Sequence, residues 1–383
     1  MTQSAPQLSG GTMIAGTRNI RRFTADLRMW RHSGIGRYLR NLVPLLLPQL
    51  DCERVRLIGR RELFAPAAWL DDPTIEFVEE AAPIYSIPEQ AMALRGRFAG
   101  STLLWVPHFN APLWYSGNMV VTIHDIAPLA LPEILGNSLK RFYARQLIEH
   151  SVSQAAAILC VSEFTRAELR DRLDVPAAKL HVTPIGLDVG WPTQAQPHCE
   201  ADGTPYILFV GNVKPNKNIG LLLRAFRDVM GRVPFRLVLA GRMSGLGTAD
   251  EAVLREAQSF GDRVRFAGEL PDAELQGLYA GASALCMPSK YEGFGLPVLE
   301  AMALGCPVLC SASGSLPEVA GDAALYFSAG SVQELAACLL RVGDGATMLD
   351  LRERGRQRVQ AFSFSRCASQ TAAVMNALLE EPS

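Results

Sequence analysis

Short apolar runs recur along the chain, separated by stretches whose apolar residues have helical spacing. The runs predict strands at 23–28, 54–59, 102–107, 119–125, 156–162, 206–211, 235–241, 284–288 and 307–311. Strands that are apolar on both faces are typical of parallel sheets covered by helices on either side. Because helical patterns alternate with these strands, we expect βαβ units and predict an α/β fold.

The chain is long enough for two hydrophobic cores. It has 383 residues, and the stretch 187–205 is rich in proline, glycine and polar residues. A strand–glycine–helix pattern restarts on both sides of this stretch. We therefore predict a first domain at 19–188 and a second at 189–361, and we expect a last helix within 362–383 to pack back on the first domain.

Charge and cysteine content exclude several classes of protein. The 37 Lys and Arg residues nearly balance 38 Asp and Glu residues, which argues against a general nucleic-acid binder. The eight cysteines are scattered singly in the sequence, mostly within apolar runs, and are expected to be reduced core thiols. Cys306 and Cys310 have no histidine or cysteine set beside them, so zinc is not expected.

The sequence also indicates a cytoplasmic protein. Residues 1–17 are small and polar, and we interpret them as a disordered lead-in and not as a signal peptide. No apolar run reaches the roughly 20 residues that span a bilayer. A protein that is soluble, or peripheral on the inner face of the membrane, is therefore expected.

The most informative segment is EGFGLPVLEAMALG, at 292–305. A loop with Gly293 and Gly295 leads from an apolar strand into a helix, with Pro297 in the first turn. Both glycines are predicted to allow positive φ and close approach of the backbone to a ligand. The N–H groups at the helix start suit a diphosphate, and Glu300 is predicted in the first turn with its carboxylate facing the same ligand.

A second segment, FVGNVKPNKNIGLLLRAF at 209–226, has a similar layout. A strand ends at Gly211, and a helix is predicted to begin near Asn218, which is expected to cap it. Lys217 lies where its ammonium group can neutralise a growing negative charge on a leaving group. A solvated loop lysine is the alternative interpretation.

Other candidate site residues lie in the first half of the chain. Gly34 and Gly36 stand immediately before a helical pattern, and Arg37 follows them. His124 and Asp125 follow the strand at 119–123, where ligands of open α/β sheets bind. Three further residues complete the set. His108 lies at another strand end, Ser162 is predicted to be a helix N-cap, and Gly186 is predicted to be a hinge or a point of close backbone approach.

Glu292 and Glu300, with seven residues between them, resemble the E-x7-E signature of glycosyltransferase family 4. The resemblance extends to the segments 209–218, 266–295 and 316–327, and covers the chain from about Phe23. It implies the GT-B architecture, in which two Rossmann-like domains face each other across a cleft.

The resemblance also implies roles for the site residues. His124 is expected near the transferred sugar, and His124, Lys217 and Glu292 are the expected catalytic residues. The expected donor and diphosphate site consists of Gly34, Gly36, Gly211, Asn212, Lys217, Gly293, Phe294, Gly295, Leu296 and Glu300. Arg37, His108 and Asp125 are acceptor-side candidates. Related enzymes often carry arginine where this chain has Asn212, and Lys214 is a candidate for the missing positive charge.

From the resemblance we expect a retaining transfer of a hexose, with mannose from GDP-mannose as the preferred donor. The expected acceptor is lipid-linked or a saccharide, in the synthesis of a bacterial surface polysaccharide such as O-antigen, capsule or exopolysaccharide. No DxD motif ends a strand, so neither a metal nor another cofactor is expected.

Several alternatives remain open at this point. A transferase that uses a UDP-sugar or GDP-rhamnose would share the same motifs. So would a non-catalytic protein that binds a sugar nucleotide and assists another transferase. An epimerase would need catalytic acids beside the sugar ring, and a phosphorylase would need a pyridoxal-phosphate lysine. The basic and aromatic segment 138–150 could face anionic lipid or form an ordinary surface helix.

Overall fold

The computed structural model of this protein describes residues 20–64, 68–187, 190–200, 202–242 and 251–380. The predicted lead-in at 1–17, the predicted domain limits at 19 and at 188–189, and the chain end at 383 lie outside these residues.

A parallel sheet is built from the first part of the chain, with seven strands in the described residues. Its spatial order is β3-β2-β1-β4-β5-β6-β7, so the order of the strands reverses between β1 and β4. The strands are β1 (Arg22–Asp26), β2 (Arg54–Gly59), β3 (Ile75–Glu79), β4 (Leu103–Val106), β5 (Met119–Ile123), β6 (Ala157–Cys160) and β7 (Leu180–Val182).

The later part of the chain forms a second parallel sheet, to which the described ranges contribute six strands in the order β10-β9-β8-β11-β12-β13. The reversal here lies between β8 and β11. The strands are β8 (Tyr206–Val210), β9 (Arg236–Ala240), β10 (Val264–Gly268), β11 (Ala284–Met287), β12 (Val308–Ser311) and β13 (Ala324–Phe327).

Helices connect these strands and cover the sheets. They are α1 (Ser33–Leu46), α2 (Ile87–Gln90), α3 (Ala127–Ala130), α4 (Ser138–Gln154), α5 (Glu163–Leu173), α6 (Ile219–Val229), α7 (Glu251–Gln258), α8 (Asp272–Gly281), α9 (Leu296–Ala303), α10 (Leu316–Ala320), α11 (Val332–Arg341), α12 (Gly345–Val359) and α13 (Phe364–Glu380). The predicted α/β fold is confirmed, because both sheets are parallel and every predicted strand is present.

The last helix, α13, returns to the first sheet and packs against α1. The Asn376 side chain fixes this contact: its Oδ1 accepts the Asp51 N–H at 3.0 Å, and its Nδ2 donates to the Gln49 carbonyl at 2.9 Å. Gly186 lies where this returning chain crosses, and a Cβ there would overlap the backbone at 363–364. Close backbone approach is therefore the reason for this glycine.

Most of the thiols are core residues, as the sequence predicted. All eight cysteines are free and six of them are buried. Among the helices of the described ranges, none has both the length and the apolar content that crossing a bilayer requires.

Candidate active site

The carboxyl ends of both sheets meet at one cleft. His124 and Asp125 follow β5 of the first sheet, and Glu292 and Gly293 follow β11 of the second. Ser162, which caps α5 as predicted by accepting the Thr165 N–H at 3.0 Å, also donates a 2.6 Å hydrogen bond to the Gly293 carbonyl. The loops that follow the two sheets are therefore in direct contact.

Lys217 and Glu292 form an ion pair in this cleft. Lys217 Nζ lies 2.6 Å from Glu292 Oε1, and Ser289 Oγ donates to the same oxygen at 2.6 Å. The pair sits at the point where the strand order of the second sheet reverses, because Lys217 follows β8, Glu292 follows β11, and these strands are neighbours. Parallel α/β sheets bind ligands at such a point.

The two glycines of the loop before α9 have different functions. Gly295 has a left-handed φ of 95° immediately before the helix, as predicted. The prediction of positive φ is wrong for Gly293. A Cβ at Gly293 would instead overlap the carbonyl oxygen of His124, so this position needs glycine because the two domains touch there.

The other two candidates in this loop also differ in their contacts. The Phe294 ring is buried against Phe362, with 5.8 Å between the ring centroids, so its side chain packs inside the protein. Leu296 is the first residue of α9. Any contact of Phe294 with a donor is therefore through its backbone.

Glu300 lies in the second turn of α9, as the fifth residue of the helix, and not in the first turn as predicted. Its carboxylate is buried and accepts the Tyr279 hydroxyl at 2.7 Å, and it forms an ion pair with Arg37. Arg37 also lies 3.0 Å from Asp272 and 5.0 Å from the centre of the Trp191 ring. The Arg37 side chain therefore crosses the cleft to the second domain.

Gly34 and Gly36 do not form a loop before a helix, which corrects that prediction. Both lie in the first turn of α1, because the helix begins at Ser33 and the Gly36 N–H donates to the His32 carbonyl at 2.9 Å. A Cβ at Gly36 would overlap the Trp30 carbonyl oxygen, whereas one at Gly34 would meet nothing within 4 Å. Only Gly36 is explained by packing.

His124 is half-buried at the centre of the cleft. Its Nε2 lies 3.1 Å from the Pro107 carbonyl, and its ring meets the Tyr38 ring edge-on at 4.9 Å. Burial lowers the pKa of His124 to about 4, although the Pro107 hydrogen bond acts in the opposite direction. A carbonyl only accepts, so Nε2 carries the proton and Nδ1 of this neutral ring can accept a hydrogen bond.

Asp125 lies beside the Lys217–Glu292 pair. Burial raises the pKa of Asp125, and the charge of Glu292 raises it further, while the Ala127 hydrogen bond and the charge of Lys217 lower it. Its Oδ1 accepts the Ala127 N–H at 2.9 Å. One carboxylate oxygen therefore shapes the turn before α3.

His108 is buried below the cleft and not at its surface. Its Nδ1 accepts the Asn110 N–H at 3.1 Å, and its Nε2 has no hydrogen-bond partner among the described residues. Burial lowers the pKa of His108 to about 4, and the charge of Asp26 opposes this shift. The ring is therefore neutral near pH 7.

Three charged residues beside His108 were not predicted from the sequence: Asp26, Arg28 and Glu89, which we call the Arg28 cluster. Arg28 Nη2 lies 2.5 Å from Asp26 Oδ2 and 2.7 Å from Glu89 Oε1. Ligand atoms of Asp26, Glu89 and His108 lie within 4.8 Å of one another. The guanidinium group contacts both carboxylates, so the two acidic groups already share one positive charge. The sequence feature that could have indicated this cluster is Asp26, an acidic residue at the end of a buried strand.

The loop after β8 holds the remaining candidates. Gly211 follows the strand with φ 153°, and Asn212 Oδ1 accepts the Arg242 N–H at 3.2 Å. The capping function predicted for Asn218 is wrong. This residue has φ 55° before α6, and its Nδ2 donates to the carbonyls of Pro288 and Ala329 at 3.0 and 2.8 Å.

Glu318 is a further cleft residue without a predicted function. Its two carboxylate oxygens accept the N–H groups of Glu163 and Phe164 at 2.9 and 3.0 Å. These are the first two residues of α5, where the helix dipole favours a negative charge. Glu318 therefore connects the second domain to the first.

Two family models match consecutive parts of the chain: Glycosyltransferase Family 4 matches residues 97–191, and Glycosyl transferases group 1 matches residues 192–358. The O-antigen chain mannosyltransferase B of Escherichia coli is 31% identical over 374 residues, which cover 88% of this chain and 94% of that protein. The MMP alpha-(1->4)-mannosyltransferase of Mycolicibacterium hassiacum is 32% identical over 61% of this chain and 57% of that protein.

Solved structures share the fold. Sucrose-phosphate synthase of Thermosynechococcus elongatus superposes with a TM-score of 0.74 at 22% identity, over 94% of this chain and 99% of that chain. Anabaena HepE in complex with UDP and glucose gives a TM-score of 0.71 at 17% identity, over 93% and 100%. The family models, the relative aligned along nearly its whole length, and the GT-B fold agree. This chain therefore belongs to glycosyltransferase family 4 and is a nucleotide-sugar-dependent glycosyltransferase of GT-B architecture.

Proposed function

We propose that this enzyme transfers mannose from GDP-mannose to a saccharide or lipid-linked acceptor in the synthesis of a bacterial surface polysaccharide. The alignment with the O-antigen chain mannosyltransferase B of Escherichia coli carries the proposal, since it extends over 88% of this chain. Such an alignment includes both sides of the cleft. Donor class and acceptor class are therefore proposed together.

In this proposal the donor diphosphate lies between Lys217 and the loop Gly293–Leu296. The positive charge of Lys217 and the N–H groups at the start of α9 suit this anion. Negative charge grows on the diphosphate as its bond to the sugar breaks, and Lys217 stabilises that charge. Glu292 holds the ammonium group in place and offers its other oxygen to a sugar hydroxyl.

Lys214 is proposed as the second cation at the diphosphate. The Lys217 N–H donates to the Lys214 carbonyl at 2.9 Å, so one turn carries both lysines. Burial lowers the pKa of Lys214, and the charge of Lys217 lowers it further. Gly211 and Asn212 hold the loop that carries them, and Glu300 is proposed to bind the ribose. The absence of an arginine at position 212 is compensated in this way.

We propose that transfer retains the anomeric configuration. The acceptor attacks from the face that the diphosphate leaves, and a departing phosphate oxygen takes the acceptor proton. His124 accepts a hydrogen bond from a hydroxyl of the transferred sugar through Nδ1. A neutral imidazole with a pKa of about 4 suits this function better than general acid catalysis near pH 7.

The chemistry is proposed to need no metal and no other cofactor. Lys217 and Lys214 supply the positive charge that a divalent ion would otherwise bring to the diphosphate. We expect EDTA to leave turnover unchanged. Loss of turnover in EDTA, restored by Mg²⁺ or Mn²⁺, would contradict this part of the proposal.

A lipid-linked acceptor is proposed to reach the cleft at the membrane surface. The first half of α4 exposes Leu139 and Phe142, the latter with 62% of its surface, and Lys140 and Arg141 lie beside them. Apolar side chains interleaved with cations suit an anionic bilayer.

Vesicle sedimentation tests this contact. Phe142→Ser should reduce binding to vesicles that contain phosphatidylglycerol, and high salt should reduce binding of the wild type. Leu349→Ser is the matched control, because Leu349 is 67% exposed on α12 of the second domain. Equal binding of both variants would contradict a contact through α4.

A donor panel tests the proposed function as a whole. GDP-mannose, GDP-rhamnose, UDP-glucose and UDP-galactose are each supplied with mannosylated acceptors, and hydrolysis and transfer are measured separately. Transfer from GDP-mannose with an α-linked product is expected. Preference for a UDP-sugar would overturn the donor assignment, and absence of turnover with every donor would favour the non-catalytic alternative.

A further inference from the structure

Tyr85 has an unusual backbone conformation for an aromatic residue. Its φ is 64°, and among the described residues only Asp174 and Asn218 share a positive φ without being glycine. Aspartate and asparagine tolerate this left-handed region, whereas a bulky side chain is strained there. Such strain persists only where the surrounding structure enforces it, and it is concentrated at functional sites.

The Arg28 cluster enforces the conformation of Tyr85. The Tyr85 N–H donates to Glu89 Oε2 at 2.6 Å, and Glu89 is buried against Arg28. Asn110 Nδ2 donates to the same Glu89 oxygen. A buried ion pair thus fixes the backbone of a residue whose side chain lies at the surface.

The Tyr85 ring remains half exposed although its backbone is anchored. Its exposed fraction is 50%, and it contacts the Phe109 ring with 5.8 Å between centroids and 35° between planes. Phe109 comes two residues after Pro107, whose carbonyl lies 3.1 Å from His124 Nε2. The Tyr85 ring therefore lies at the same carboxyl edge of the first sheet as His124.

We infer that the exposed face of Tyr85 is the surface on which a sugar ring of the acceptor stacks. This inference rests on the proposed function and adds an acceptor-binding residue to it. An aromatic ring offers a large and rigid contact area at small entropic cost, and the C–H face of a hexose is apolar. The anchored backbone sets the angle of the ring before the acceptor arrives, which reduces the cost of binding.

Tyr85→Gly and Tyr85→Phe separate stacking from a structural function. Glycine accepts the left-handed φ without strain but lacks the ring. We expect Tyr85→Gly to raise the acceptor KM about tenfold and Tyr85→Phe to change it less than threefold. The melting temperature of Tyr85→Gly should stay equal or rise. Donor KM and hydrolysis of GDP-mannose without acceptor should stay unchanged.

Asp174→Gly is the matched control. It places glycine at another residue with left-handed backbone, at the end of α5, and should leave the acceptor KM unchanged. A folded Tyr85→Gly variant with the acceptor KM of the wild type would overturn the inference. An equal rise in KM for Tyr85→Phe would also overturn it, because the hydroxyl group and not the ring face would then bind the acceptor.

A binding measurement keeps this inference distinct from the proposed function. Saturation-transfer NMR with methyl α-mannoside, α-mannobiose and α-mannotriose is recorded in the presence of GDP, without turnover. If the wild type transfers no mannose but Tyr85→Gly loses the saccharide signal, the proposed function fails and the inference stands. If the wild type transfers mannose and both proteins give equal signals, or if neither gives a signal, the inference fails.

Discussion

Replacing Lys217 by alanine should reduce turnover far more than it reduces stability. Lys217 Nζ is 2.6 Å from Glu292 Oε1, and the two side chains are 18% and 11% exposed. Loss of one preorganised charge at a leaving group costs about 100- to 1,000-fold in kcat, or roughly 3–4 kcal/mol. The free energy of unfolding should fall by only about 1–3 kcal/mol, because Ser289 still donates a hydrogen bond to the Glu292 carboxylate.

Lys290→Ala is the control substitution, at another lysine in the same region. Lys290 pairs with Glu133 across the cleft at 3.4 Å, and both side chains are more than 40% exposed. An exposed pair of this kind contributes about 0–1 kcal/mol to stability. Its removal should leave kcat within about twofold of the wild type, since the side chain has no proposed contact with the donor.

The assay measures initial rates at saturating GDP-mannose and acceptor, together with urea unfolding of each variant. A folded Lys217→Ala variant with kcat within tenfold of the wild type would refute the proposed function of this lysine. A double-mutant cycle with Glu292→Gln extends the test. If Glu292 holds Lys217 in place, the double variant should lose less activity than the sum of the two single losses.

Three further perturbations test contacts of the cleft. Gly293→Ala should lower kcat at least tenfold and destabilise the protein by about 1–3 kcal/mol, because the added Cβ overlaps the His124 carbonyl oxygen. The control is Gly330→Ala, where a Cβ meets nothing within 4 Å. Equal rates for both variants would contradict this account. His108 has a pKa lowered to about 4, so the unfolded chain binds more protons below about pH 6.5, and the free energy of unfolding should fall by up to about 3 kcal/mol between pH 6.5 and pH 4. Urea unfolding of His108→Gln across this range should show a shallower dependence, and an unchanged slope would count against the neutral buried ring. Glu318→Gln should speed hydrogen exchange of the first two amides of α5, with a loss of about 0.3–1 kcal/mol in their protection, and unchanged exchange would show that the carboxylate does not stabilise the interdomain contact.

The central strands followed from the sequence, and the edge strands did not. β3, β7, β10 and β13 are absent from the predicted set, and each lies at an edge of its sheet. Of these strands, β3, β7 and β10 are covered less completely than the central ones, whereas β13 is buried at three of its four positions. The strand β3 has no buried residue, and two of its five positions, Glu76 and Glu79, are exposed, so it lacks a continuous apolar run.

Site residues divide in a similar way. The glycine before α9, the cap at Ser162 and the lysine before α6 were predictable because backbone freedom, capping and helix ends depend on a few adjacent residues. The capping predicted at Asn218 failed because its side chain found carbonyl partners in two other loops. Local preference yields where a distant partner offers better hydrogen bonds.

By itself the sequence determined that this chain forms two parallel sheets, and it predicted that the chemistry lies at loops after their central strands. Apolar runs and turn residues depend on the preferences of neighbouring residues, so they can be recognised from the sequence alone. Only the tertiary structure decided which charges meet. Arg37 and Glu300 are 263 residues apart, and Arg28 meets Glu89 61 residues further along the chain. The first pairing depends on the approach of the two domains and the second on the packing of the loops within the first domain, and no local sequence pattern predicts either.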